Sequence, residues 1–179
     1  MKATPPNPPA PLAALVDRTG GVHPAHEIRG VVAMHRLGMG LAAELHAGDV
    51  LLLHGDLGAG KTTLTQGIAA GLRVPEAIRS PTFGLVAEYD GMTDGGTPVR
   101  LYHLDLYRLD TPAELEGVGF DRYAEPDDGI SVIEWPERAG GWLPERYLLV
   151  AIDYAGPDVR RVTIQVVGAT HQPARATKR

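Results

Sequence analysis

Apolar residues recur along this chain with two different periods. Met34, Leu37, Leu41 and Leu45 fall at three- and four-residue spacing, which predicts an amphipathic helix that stops at Ala47-Gly48. Asp49-Val50-Leu51-Leu52-Leu53-His54 is a continuous apolar run of strand length, the pattern of a strand buried on both faces. Leu64, Ile68 and Leu72 then return every four residues, the stripe of a helix lying on a sheet, with Gly71 and Pro75 punctuating its end. Beyond Pro75 the period shortens. Leu85 to Tyr89 and Val99 to Leu106 read as strands on either side of Asp90-Gly91-Met92-Thr93-Asp94-Gly95-Gly96, so an antiparallel hairpin is predicted. Thr111-Pro112-Ala113-Glu114 opens a short helix, with Thr as its cap and Pro at its first position. Ile130-Ser131-Val132-Ile133 is a further buried strand ending in Glu134-Trp135, and Tyr147 to Ile152 with Arg161 to Val167 form a final pair.

Helices alternating with such strands predict an α/β domain of three layers around a mixed, partly antiparallel sheet. Its expected extent is 26–168, with folded sequence beginning near Ile28. Residues 1–25, with Pro5, Pro6, Pro8, Pro9, Pro11 and Gly20-Gly21, are expected to form a disordered Pro-rich tail, and 169–179 a disordered basic one. A body of this size buries roughly two-thirds of its unfolded surface, enough for a real core.

Composition narrows the function classes. A net charge of −5 argues against a surface built for duplex nucleic acid. The absence of cysteine removes disulfides and thiolate metal sites, and suits a reducing compartment. No run approaches eighteen apolar residues and no signal-peptide core is visible, so a cytoplasmic location away from membranes is expected.

Between Lys2 and Lys178 stands one lysine, Lys61, and it lies in Gly55-Asp56-Leu57-Gly58-Ala59-Gly60-Lys61-Thr62. This is the G-x-x-x-x-G-K-[ST] form of a phosphate-binding loop, or P-loop, and chance would supply roughly 0.003–0.004 matches in a chain of this composition. Arg serves wherever else a cation stands; a compact ammonium fits between phosphates where a planar guanidinium does not. The loop also sits where it must, after a strand and before a helix. Gly55, Gly58 and Gly60 let the backbone N–H groups turn inward, and the helix start adds a favourable dipole for an anion. Lys61 is expected at the β- and γ-phosphates, and Thr62 on a magnesium ion bridging them.

Such a site needs a second carboxylate at a neighbouring strand end. Asp105, after Leu101-Tyr102-His103-Leu104, and Glu134 both qualify, with Glu134 favoured because its strand is the more continuously apolar. Arg79-Ser80-Pro81-Thr82-Phe83 lies roughly where a γ-phosphate sensor would stand, with Thr82 as its hydroxyl, although on spacing alone an extended turn whose Pro81 merely ends the preceding element is the favoured explanation. The guanine reader [NT]-K-x-D cannot be present, because the one lysine downstream is Lys178; ATP is therefore expected over GTP. Asp153-Tyr154-Ala155-Gly156 has the form D-x-x-G but reads as a turn. Arg160 and Arg161 are candidates for a phosphate or base contact, or plain surface charges. His23-x-x-His26 offers too few ligands for a metal site on its own and is discounted.

Together, Gly55 to Thr63, Ser80-Pro81-Thr82-Phe83, His103-Leu104-Asp105-Leu106-Tyr107-Arg108-Leu109 and Glu134-Trp135-Pro136-Glu137 resemble the bacterial TsaE (YjeE) family over about residues 30–165. The glycine loop is generic; the H-x-D-x-Y-R and E-W blocks make the likeness specific. The resemblance implies a P-loop ATPase that supports formation of threonylcarbamoyladenosine beside the anticodon of tRNA. It would act with TsaD and TsaB, meeting tRNA indirectly through that complex. It further implies that Leu57, Gly58, Ala59, Gly60, Lys61, Thr62 and Thr63 hold phosphates and that Thr62 and Glu134 hold magnesium. Asp105 would sit by the γ-phosphate, Glu137 and Arg160 or Arg161 would be outer contacts, and the helix start near Val31 would approach adenine. Lys61, Asp105 and Thr82 would carry the catalytic roles.

Two other readings compete. A small-molecule kinase would use the same loop but needs an Arg-rich lid, and the segment Asp110 to Asp128 offers Arg122 alone among many acids. A nucleotide-binding module without turnover differs only in whether phosphate is released.

Overall fold

The structure, a computed structural model, describes residues 25–168; the two expected tails lie outside the described residues but for Ala25. Seven strands form one sheet in the order β1-β7-β6-β2-β5-β4-β3. They are β1 (His26–Arg29), β2 (Val50–His54), β3 (Val86–Met92), β4 (Pro98–Asp105), β5 (Gly129–Glu134), β6 (Tyr147–Gly156) and β7 (Val159–Val167). The central strands β6, β2, β5 and β4 run parallel, while β3 and the pair β7 and β1 are antiparallel additions at the edges. The expected mixed α/β sheet is the one observed.

Strand alternation divides the core. Leu51 and Leu53 face α1 (Gly30–Ala42) and α2 (Lys61–Gly71), packing with Met34, Leu37, Leu41, Leu64 and Ile68. Val50 and Leu52 face the opposite layer, where Leu106, Leu115, Phe120 and Tyr123 come from the loop and from two short helices, α3 (Glu114–Gly117) and α4 (Asp121–Ala124). Each fully buried Leu or Phe contributes about 1.5–3 kcal/mol, so β2 is secured from both sides at the strand that launches the glycine loop.

The two helices of the first layer meet backbone to backbone. A Cβ on Gly67 would stand 2.1 Å from the His35 carbonyl oxygen, and one on Gly38 would stand 2.3 Å from that of Leu64. Gly71 serves the same seam, where a Cβ would reach Ala42 at 2.5 Å. It is also the last residue of α2, as expected; Leu72 follows as the C-cap, and the left-handed residue beyond it is Arg73, at φ 55°.

Other boundaries shift for local reasons. α1 ends at Ala42, five residues early, because Ala43, Glu44 and Leu45 close i→i+3 turn bonds that bury Leu45 without continuing the helix. The hairpin strands pair as far as Met92 and Pro98, leaving a shorter turn than the glycines suggested. Near Thr111 the helix begins two residues late; the Glu114 carboxylate accepts hydrogen bonds from Thr111 N (2.8 Å) and Asp110 N (3.2 Å) before α3 starts. Asp153 to Gly156 is not a turn. It is the end of β6, paired with β7 through a bulge.

Candidate functional site

The glycine loop leaves the C-terminal end of β2, between β5 and β6, where parallel sheets place their ligand crevices. Gly58 (φ 77°) and Gly60 (φ 111°) take left-handed backbone that lets the loop close on the start of α2. No side chain caps α2. Its first N–H groups, on Lys61, Thr62 and Thr63, are thus free for an anion.

The last two strands fasten the loop from outside. Arg160 on β7 donates from Nε to the Ala59 carbonyl (3.1 Å) and from a terminal nitrogen to that of Gly58 (3.4 Å). Its guanidinium lies 4.1 Å over the Tyr154 ring, and the Tyr154 hydroxyl donates to the Leu57 carbonyl at 2.9 Å. Three successive carbonyls are thereby held toward β6 and β7. Since a peptide N–H points opposite its carbonyl, the Gly58 and Gly60 amides are turned to the loop's inner side. Of the two candidate arginines, the structure brings Arg160 to the loop and leaves Arg161 exposed between Glu27 and Asp153 of the flanking strands.

Lys61 is 5% exposed. Its ammonium donates to the carbonyls of Gly55 (2.5 Å) and Asp56 (3.0 Å) and stands 3.7 Å from the centre of the Trp135 ring. Trp135 reaches it from left-handed backbone (φ 60°), a strained conformation for so large a residue. Burial lowers the Lys61 pKa, and the carboxylates of Glu134, Glu137, Asp105 and Asp56 oppose that shift.

Two carboxylates flank this ammonium from directly paired positions, Asp105 on β4 and Glu134 on β5. Glu134 is 2% exposed and accepts the Thr62 hydroxyl at 3.0 and 3.2 Å and His103 Nε2 at 2.8 Å. Asp105 accepts the hydroxyls of Ser80 and Thr82 on one oxygen and the Tyr107 amide on the other, at 3.0 Å for the last. The Ser80–Thr82 segment is therefore tied to the end of β4. Glu137 lies farther out, 3.3 Å from His54 Nδ1.

The rim is apolar and exposed. Val31, in the first turn of α1, is 71% exposed beside Val32, and Phe83 is 88% exposed with the Arg108 guanidinium 4.3 Å over its ring. A cavity of about 550 Å³ lies at the other end of the sheet around Asp49, Glu125 and Arg146, away from the residues of this site.

Hard oxygen donors at Thr62 and Glu134 suit magnesium, which is held by one or two protein oxygens together with phosphate and water. Among the described residues no group of three His, Cys, Asp or Glu could hold an ion alone. Sequence reasoning brought in Lys61, Thr62, Thr82, Asp105 and Glu134, which the fold does gather. It gave no role to His103 or Tyr154, and it read Trp135 as a core or surface anchor rather than as a ring above Lys61. Strand alternation already placed His103 on the face of Asp105, but its partner 31 positions away was not visible.

A family model described as "Threonylcarbamoyl adenosine biosynthesis protein TsaE" matches residues 28–162. The tRNA threonylcarbamoyladenosine biosynthesis protein TsaE of Bacillus subtilis is 42% identical over 131 residues, covering 73% of this chain and 78% of its own length. That of Nostoc is 45% identical over 145 residues, covering 79% and 85%. The crystal structure of Bacillus subtilis YdiB superposes with a TM-score of 0.65 at 33% identity, covering 84% of this chain and 88% of that one.

Proposed function

This chain belongs to the TsaE family, and on that premise we propose that it binds magnesium-ATP and hydrolyses it in support of threonylcarbamoyladenosine formation on tRNA. The observation that carries the reading is the convergence on Glu134. The P-loop hydroxyl of Thr62 and a wholly buried histidine both meet this carboxylate beside the one internal lysine.

In this reading the inward amides of Gly58 and Gly60 and the first N–H groups of α2 hold the phosphates. Leu57 and Ala59 shape the loop, and Thr63 adds the last of those helix amides. Lys61 exchanges its contacts with the Gly55 and Asp56 carbonyls for phosphate oxygens. Its buried position excludes water and strengthens that attraction. Magnesium, when bound, neutralises developing charge on the phosphates. Thr62 and Glu134 would hold it. Asp105 orients the Ser80 and Thr82 hydroxyls toward the γ-phosphate side, so that Thr82 senses the triphosphate. Val31 offers adenine an apolar surface, and Glu137 is an outer contact. Arg160 acts through the loop's carbonyls; Arg161 has no part in the site.

The kinase alternative loses its lid. Residues 110–128 fold as α3 and α4 with Leu115 and Phe120 buried in the second core layer. TsaD and TsaB are the partners the family suggests, and the chain would meet tRNA through them. A P-loop supplies positioning and charge, but full rates commonly need a further cation or an ordered switch. With no second internal lysine, slow turnover alone and acceleration by partners are expected. Steady-state phosphate release by the purified chain, alone and with TsaD plus TsaB, tests this. Fast release unaffected by the partners counts against the tRNA-modification role, and slow release in both settings favours a binding module.

A further inference from the structure

Strand β4 turns apolar side chains, Val99 and Leu101, to the α2 layer until it reaches His103. That imidazole is fully buried, with Val132 and Ala87 as its neighbours on the adjoining strands. Its Nε2 lies 2.8 Å from Glu134 Oε1, whereas Nδ1 is buried with no hydrogen-bond partner. A carboxylate only accepts, so Nε2 carries a proton and donates it to Glu134. A Leu or Phe would fill this place in the sheet without orphaning a ring nitrogen. Among the described residues, the one side-chain hydrogen bond of this costly residue runs to the carboxylate that also receives Thr62.

We propose that His103 is a positioning residue for magnesium: it pins Glu134 Oε1 and so fixes the rotation of the carboxylate that faces the ion, without touching ion or nucleotide itself. Oε1 accepts both His103 and Thr62, which leaves Oε2, more loosely met by Thr62, as the oxygen with free lone pairs. Residues that orient a metal ligand typically change metal affinity by about 10–100-fold when removed. The proposal rests on the magnesium-nucleotide reading above.

The test is calorimetric titration of the full chain with ADP, in magnesium and in EDTA, for the parent, His103→Phe and His103→Gln. The parent should bind more tightly in magnesium. His103→Phe should lose about tenfold in magnesium while matching the parent in EDTA, and His103→Gln, whose amide can donate to Glu134, should recover most of the loss. Equal weakening in both conditions, or a full magnesium effect in His103→Phe, overturns the positioning role and leaves the nucleotide site standing. A parent indifferent to magnesium overturns the underlying reading instead. Nitrogen NMR of the parent's imidazole needs no variant. A spectrum of the Nε2–H form, shifted by Mg-ADP more than by ADP in EDTA, supports the proposal, and the Nδ1–H form contradicts it.

Discussion

Two tightly packed regions share the same face of this sheet and are built on opposite terms. Along the α1–α2 seam, Gly38, Gly67 and Gly71 remove side chains so that backbones touch, beside apolar core residues such as Leu41, Leu64 and Ile68. A few residues away, at the C-terminal ends of β2, β4 and β5, the chain buries Lys61, His103, Asp105 and Glu134. The seam gains from every contact it makes. The site carries desolvated charge that only partners and hydrogen bonds offset. Damage to the seam should therefore cost folding, whereas damage to the site should cost ligand binding and leave folding intact or improved.

The largest effect is expected at the seam. Gly67→Ala places a methyl against the His35 carbonyl, backbone against backbone, and should lower stability by about 3 kcal/mol, read by urea unfolding. A change below about 0.5 kcal/mol would show that the helices separate freely. Next, Lys61→Ala should abolish ATP turnover while its melting temperature stays equal to or above the parent's. A large fall in stability would erase the contrast between the regions. Glu134→Ala should follow, losing the magnesium-dependent part of nucleotide binding while keeping the rest; identical binding to the parent in magnesium and in chelator would contradict the assignment.

Smaller effects sharpen the boundary. Tyr154→Phe removes one donor from the Leu57 carbonyl and should weaken ADP binding by about three- to tenfold, the worth of one ordinary hydrogen bond, with unchanged unfolding. The pH dependence of stability is the subtlest. Because burial lowers the Lys61 pKa, the folded chain releases this proton before the unfolded chain does. Just below the ordinary lysine range the unfolded state holds more protons, so this residue's contribution to stability rises with pH there. Tyr102 and Tyr123, both raised chiefly by burial, act oppositely above the ordinary tyrosine range. Subtracting the Lys61→Met profile from the parent's should isolate the rising part; a flat difference would mean that Lys61 is not desolvated.

What could be read in advance follows the range of the interactions. The glycine loop was legible because its spacing is a local backbone requirement, and β2 and β5 because continuous apolar runs announce burial on both faces. β1 was not, since four residues beside a Pro-rich start become a strand only by pairing with β7. The end of β6 passed for a turn because Asp153 and Gly156 are turn-formers, and pairing with β7 overrides that local preference. Arg160 and Arg161 were inseparable by type. On a strand neighbours face opposite sides, so one alone could meet the loop, but the register that selects Arg160 is tertiary. The glycine seam and the His103–Glu134 pair were invisible for the same reason, because each is defined by what lies across from it.

The central claim is that the crevice above β2 takes magnesium-adenine nucleotide. Calorimetric titration of the parent chain with ATP, ADP and GTP, each in magnesium and in EDTA, tests it most directly. The account predicts ATP and ADP binding that magnesium tightens, weaker GTP binding, and loss of the ATP signal in Lys61→Ala. Tight GTP binding with negligible ATP binding, or ATP binding that survives in Lys61→Ala unchanged, would contradict it.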